Sequence, residues 1–380
     1  MPEMLDGAQR DLLARVQAFV DTELRPLELS LPDDPDASVP DDVRRTVIAR
    51  ARHAGLYGAL QPVAVGGAAL PPLERVLLIE TLSRSNLRVA RHVLGPGPGM
   101  LAGVSGALRE RYLLPLLAGE KRSALAITEP RDPSLRTIAQ RNEGTLRVRG
   151  TKSYVTSGAD ADFYLVMVAL EEPSSGAGRR ALLIVDRDSP GLSIVRRFRS
   201  LDGSHHVELR FEDVVVPESQ LLPEAPTGAS RAQTGIAEMR LQVAARATGG
   251  AGFALDHTRA RLLEPHRNKA LGEDPAVRLR VADMGLALYA ARSALYRAAR
   301  VLGRGEDARN HAIAAKVLCT ESAVRVVASA IAVAGGQALV AGHPLERLHR
   351  ELQALLLTEG ASDVLRQSLA KGMLEHGFGL

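Results

Sequence analysis

Tryptophan is absent from the 380 residues, aromatics make up only 3%, and there is one cysteine, Cys319. A single cysteine excludes an intramolecular disulfide and makes a reducing compartment, the cytoplasm, the expected setting. Its place in the apolar helical pattern Ala314-Ala315-Lys316-Val317-Leu318-Cys319 suits a buried structural thiol rather than a nucleophile. Lysine is scarce too: 43 of the 48 basic residues are arginine, spread along the chain for a net charge of +4. That balance argues against a nucleic-acid partner. An anionic ligand, such as the phosphate of CoA or of a carrier protein, needs only a local basic rim. No run of 18 apolar residues occurs, so no membrane span is expected. Acidic Glu3 and Asp6, with no apolar core beside them, argue against a signal peptide. Motifs of rival chemistries are missing: no P-loop, G-x-G-x-x-G, H-E-x-x-H or G-x-S-x-G. His205-His206 would point to opposite faces of a strand, and no Cys/His/Asp cluster accompanies them, so no metal is expected.

What is present reads as a soluble globular protein of two or three domains, with 46% hydrophobic residues and mean hydropathy near zero. Residues 5–30 carry an amphipathic helical face, Leu5, Leu12, Leu13, Val16, Phe19 and Val20. Asp41 or Asp42 can cap a helix that runs to about His53 and stops at Gly55. A further helix covers about Leu73 to Arg84, and another ends before Gly119. The period then changes. Segments at 125–128, 146–149, 163–168, 181–185, 192–195 and 207–211 alternate or are β-branched between Gly, Pro and Ser turns. From about Ala232 the helical period returns in four long stretches, 232–263, 276–303, 306–333 and 344–374, which suit an antiparallel four-helix bundle. The expected class is α+β: an N-terminal helical domain (1–120), a central β-domain (121–225) and a C-terminal four-helix bundle (226–380).

Within this layout short signatures recur in order. They are Ala124-Leu125-Ala126-Ile127-Thr128-Glu129-Pro130, Thr151-Lys152-Ser153-Tyr154-Val155-Thr156, Ser189-Pro190-Gly191-Leu192, Arg210-Phe211-Glu212-Asp213-Val214-Val215-Val216-Pro217, Val281-Ala282-Asp283-Met284, Gly335-Gly336 and Leu357-Thr358-Glu359-Gly360. The series resembles the acyl-CoA dehydrogenase family. The resemblance implies an oxidoreductase acting on a CH–CH bond of an acyl thioester, carried by CoA or by a carrier protein. Glu359 would abstract the α-proton while FAD accepts the β-hydride. Arg240 would lie beside that base and hold it ionised. Arg350 and Arg366 match the family's spacing around it. Thr128, Tyr154 and Thr156 would meet the flavin ring, Tyr154 standing where a tryptophan is usual. Gly335, Gly336 and, with a shift of register, Arg267 would serve the rest of the cofactor. Ser134 and Gly360 would approach the substrate.

The chain also departs from the family pattern. Glu264 stands where an arginine usually grips the flavin pyrophosphate, Ala332 where a glutamine precedes the double glycine, and Ala361 where a threonine follows Glu-Gly. A carboxylate facing a pyrophosphate is repulsive. Three functions therefore stay open at this point. One is a flavin-dependent dehydrogenase that needs an electron acceptor. The second is a member without FAD doing redox-neutral thioester chemistry as an isomerase, lyase or cyclase. The third is a non-catalytic subunit of a heteromeric dehydrogenase. Each expects an oligomer, a homodimer or homotetramer, or a heteromer with a related chain.

Overall fold

The computed structural model describes residues 4–32, 34, 37–172, 175–223, 229–264, 269–375, 377 and 379–380. The helices among them are α1 (Gly7–Phe19), α2 (Arg25–Leu29), α3 (Asp41–His53), α4 (Pro72–Arg84), α5 (Gly106–Leu108), α6 (Leu114–Leu117), α7 (Ala229–Leu262), α8 (Lys269–Glu273), α9 (Pro275–Gly303), α10 (Arg309–Ala334), α11 (Pro344–Leu355) and α12 (Ser362–Glu375). The strands are β1 (Ser123–Ala126), β2 (Ile138–Asn142), β3 (Thr145–Thr156), β4 (Phe163–Glu172), β5 (Ser175–Asp186), β6 (Leu192–Arg199) and β7 (His205–Pro217). They divide into two compact units.

The helical unit takes Met1–Leu60, Ala68–Leu94 and Gly228–Leu380. Of the N-terminal helices, α1–α4 group here with the C-terminal bundle, whereas α5 and α6 belong to the β unit. Asp6 caps α1 through the Gln9 N–H, and Gln9 returns a bond to the Asp6 N–H, a reciprocal capping box. Asp41 and Asp42 do not cap α3; Pro40 is its N-cap and both carboxylates lie in the first turn, where the helix dipole favours them. Gly249 and Gly250 sit mid-way along α7. A Cβ on Gly249 would lie 2.5 Å from the Glu80 carbonyl oxygen of α4, so glycine is what lets these backbones close up. Buried in the same contact, Glu80 accepts hydrogen bonds from Arg292 and Tyr296 of α9.

By length and composition α10 is apolar enough to cross a membrane, so the exclusion drawn from the sequence does not hold for it. Here it is a core helix, with Ala312, Ala315, Cys319, Ala323 and Val327 wholly buried against its neighbours. The fourth bundle stretch, expected as one helix over 344–374, is two helices, α11 and α12, with a turn between them.

The β unit takes Gln61–Gly67 and Gly95–Thr227. Its seven-stranded sheet runs β1-β4-β2-β3-β7-β6, with β5 on β4 as well. β1 and β2 lie end to end along one edge of β4, pairing parallel with Phe163–Val166 and Ala169–Glu171, while β5 takes the other edge antiparallel. The connection 127–137 therefore leaves the sheet through the gap between β1 and β2. One apolar cluster includes Leu146, Val148, Tyr164, Leu209 and Phe211. A second joins Phe163, Leu165 and Ile184 to Tyr112, Leu113 and Leu116.

Candidate functional site

In the helical unit the site is a turn. α11 ends at Leu355 with Leu356 as its C-cap, and the chain turns through Leu357, Thr358 and Glu359 before α12 begins at Ser362. The last carbonyls of a helix have no partner within it and need outside donors. Two cations supply them. Lys316 of α10, wholly buried, donates to the carbonyls of Leu356 (2.9 Å) and Gly360 (2.8 Å). Arg240 of α7 donates through Nε to the carbonyl of Glu359 itself (3.4 Å). Both stand at the negative end of the α11 dipole, where cations are favoured.

Glu359 is exposed at φ +55°, in the left-handed region, and Gly360 follows at +111°. A side chain at Gly360 would be strained at this φ, and an added Cβ would lie 2.9 Å from Leu365 Cδ2, so that methyl would have to shift. Burial lowers the Arg240 guanidinium from its ordinary value, opposed by the Glu359 charge. Burial pushes Lys316 down to about 8, helped by the Arg240 charge and opposed by Glu321 and Glu359. Of the flanking arginines, Arg350 pairs with Glu346 and Arg366 with Glu321.

In the β unit the second buried lysine does a matching job. Lys152 donates to the Ile127 carbonyl (3.0 Å) and to Glu129 Oε1 (2.8 Å), and the same carboxylate oxygen accepts the Thr137 N–H. Burial opposes the Glu129 charge, but these bonds outweigh it and hold the carboxyl below its ordinary value. Burial lowers Lys152, with Glu129 opposing. Thr128 lies exposed between them, its carbonyl accepting the Ser153 N–H at 2.9 Å. Further along β3 the pairing with β7 slips between Lys152 and Val155. That bulge puts Tyr154 at φ +55° with its ring 64% exposed. The ring meets Phe198 edge-on at 5.2 Å, and Phe198 stacks on His206 at 5.5 Å. Thr156 Oγ1 lies 3.2 Å from His206 Nδ1, whose Nε2 is 2.6 Å from Ser200 Oγ. Ser134, also exposed, donates to Asp132 at 2.7 Å within a short turn.

Three of these residues were not expected. Phe198 gave no signal beyond β6 itself, and His206 was weighed only as a metal ligand; among the described residues no group of three or more His, Cys, Asp or Glu could hold a metal ion. Lys316 did carry a signal: a lysine inside an apolar helix of a chain that otherwise uses arginine.

The fit to FAD differs between positions. An exposed aromatic ring on a bulge, flanked by the exposed Thr128 and Thr156, suits the face of a flavin ring. Gly335 (φ +80°) and Gly336 close α10 and have open space about their α-carbons. They lie about 28 Å along that helix from Lys316 at ~1.5 Å per residue. Glu264, exposed just beyond α7, and Ala332, exposed on α10, offer no cation for a pyrophosphate. Ala361 receives the Leu365 N–H as α12 begins. Arg267 lies outside the described residues. The residues that fit the cofactor are thus those of the β unit.

A sheet-bearing unit inserted into a helical one, the latter holding a carboxylate on a cation-clamped turn, defines an α+β class of protein. The models of the acyl-CoA dehydrogenase N-terminal, middle and C-terminal domains match residues 6–120, 124–214 and 227–374. The chain belongs to the acyl-CoA dehydrogenase family, and so to the oxidoreductases acting on CH–CH bonds. It is 29% identical over 332 residues to an acyl-CoA dehydrogenase of Bacillus subtilis (strain 168), covering 84% of this chain and 87% of that protein. It is 30% identical over 336 residues to the cyclohex-1-ene-1-carbonyl-CoA dehydrogenase of Geobacter metallireducens, with 84% and 87% covered. The solved butyryl-CoA dehydrogenase of Megasphaera elsdenii is similar at 25% identity and a TM-score of 0.80, over 98% of this chain and all of that one.

Proposed function

We propose that the chain is a flavin-dependent α,β-dehydrogenase of acyl thioesters, of CoA or of a carrier protein, in which Glu359 removes the α-proton. The observation that carries this reading is the turn: an exposed carboxylate held at a left-handed φ, its backbone tied by Arg240 and Lys316. Strain of that kind costs roughly 1–3 kcal/mol and persists where the surroundings over-determine it, which is common at reacting centres. Removing a thioester α-proton needs a carboxylate aimed at that carbon, and the turn holds one. Tyr154, Thr128 and Thr156 are the residues to hold the flavin ring, and Ser134 and Gly360 to approach the substrate. When bound, FAD supplies the acceptor for the β-hydride. Electrons then pass to a separate acceptor. The same reading takes the protein as cytoplasmic and homo-oligomeric.

A second reading is favoured by Glu264, Ala332 and Ala361: a chain that uses Glu359 on an acyl thioester without FAD, or that completes its cofactor site only with a related subunit. One experiment separates the two. The purified chain is titrated with FAD and followed by visible absorbance. A panel of straight, branched and cyclic acyl-CoAs is then incubated with it in deuterium oxide, and deuterium at the α-carbon is read by mass spectrometry. Saturable flavin binding, bleaching by one acyl-CoA, and loss of both bleaching and exchange in Glu359→Gln are expected. Exchange without flavin binding favours the redox-neutral enzyme. Neither flavin binding nor exchange favours the subunit of a heteromer.

A further inference from the structure

We propose that Lys316 is a positioning residue for Glu359: by donating to the carbonyls of Leu356 and Gly360 at once, its ammonium closes the turn between α11 and α12 and fixes the direction in which the Glu359 carboxylate leaves it. The inference rests on the reading of Glu359 as the base.

Lys316 sits in the second turn of α10, a helix apolar enough to pass for a membrane span, and is 0% exposed. A buried charge is costly unless hydrogen bonds compensate it. Here the acceptors are two backbone oxygens four residues apart in sequence, one on each side of Glu359. Bridging them needs a compact cation with several rotatable donors, which an ammonium is and a planar guanidinium is not. That explains a lysine at this position in a chain with 43 arginines and five lysines. Arg240 holds the carbonyl between the two, that of Glu359. Three anchoring points, at the carbonyls of 356, 359 and 360, therefore fix a turn that holds Glu359 at an unfavourable φ. Without Lys316 the carbonyls of Leu356 and Gly360 lose this donor, and Arg240 remains as the one cation bonded to the turn among the contacts described. Displacing a reacting group by about 1 Å can lower a rate ~10²-fold.

The test is Lys316→Met, which keeps the stem's bulk and removes the donors, compared with the parent and with Glu359→Gln. The probe is whichever acyl-CoA of the panel exchanges its α-proton fastest with the parent. We expect exchange to slow about 10²-fold with KM changed less than about threefold, a larger primary isotope effect from α-deuterated acyl-CoA, and faster amide hydrogen exchange confined to residues 356–361. A merely structural lysine would lower the amount of active protein and leave the isotope effect unmoved. If Lys316→Met does not fold, Lys316→Arg, which keeps the charge but displaces the donors, is expected to show the same enlarged isotope effect. Unchanged exchange and an unchanged isotope effect in the folded variant overturn the proposal. If Glu359→Gln itself keeps full exchange, the base assignment has failed, whatever Lys316 does.

Discussion

Glu359 occupies a backbone conformation that helix C-termini usually give to glycine or asparagine. A side chain with a Cβ is held there against a local cost of about 1–2 kcal/mol. If the carboxylate is retained for chemistry, the position is one where stability and activity oppose each other. Glu359→Gly is therefore expected to abolish α-proton exchange while leaving the thermal midpoint unchanged or slightly raised. The gain is capped near ~1 kcal/mol because two adjacent glycines have more unfolded-state freedom to lose. Calorimetry of the purified variant beside the exchange assay checks it. A midpoint lower by several degrees would make the side chain structural. Cys319 shows the opposite logic. Its thiol is buried, donates to the Ala291 carbonyl and is pushed up by burial, so nothing about it invites chemistry.

Elements were legible where their side chains alternate or repeat, and lost where they do not. Six of the seven strands lie on segments whose pattern shows in the sequence. β2 does not: Ile138-Ala139-Gln140-Arg141-Asn142 is mostly polar, with only Ala139 wholly buried. Its place follows from β4, which pairs with it end to end after β1. The break between α11 and α12 was hidden for another reason. Leu348, Leu352, Leu355 and Leu365 are all buried, so the apolar stripe resumes beyond the turn and only Gly360 hints that the helix stops. The sequence thus yields the position of Glu359 through its motif but not the two lysines' contacts, which depend on residues 23 to 44 positions away. Lys152 ties the 127–137 connection to β3 as Lys316 ties the 356–360 turn to α10. Lys152→Met should therefore loosen the Thr128 segment without unfolding the sheet, whose core lies elsewhere. The expected outcome is faster amide exchange at 127–137 and flavin binding weakened by about tenfold, the equivalent of one lost hydrogen bond to a charged group at ~1.5 kcal/mol. Unchanged exchange there would sink the idea.

At the scale of the whole molecule, the helical unit is built from three separated stretches, with the β unit lying between them in sequence. Helical periodicity identifies α4 and α9 but says nothing of their meeting, because Glu80 and Arg292 stand 212 residues apart. Their ion pair, with the Tyr296 hydroxyl also on Glu80, is buried in the contact between the N-terminal helices and the bundle. The Tyr296 hydroxyl is held up by burial and by the Glu80 charge, as befits a donor that keeps its proton. Removing one partner of a buried pair leaves the other charge uncompensated and costs about 3–5 kcal/mol. Glu80→Gln is thus expected to lower the melting of the helical signal by roughly 10 °C, taking ~2–4 °C per kcal/mol for a unit of this size. Because the loss comes from a stranded arginine rather than from a missing attraction, Glu80→Leu combined with Arg292→Met should recover most of it. If the N-terminal helices instead folded as a separate domain, Glu80→Gln would shift only a minor early transition and leave the melting of α7 and α9–α12 where it was. Circular dichroism of the three proteins across the thermal transition decides between one cooperative helical body and two.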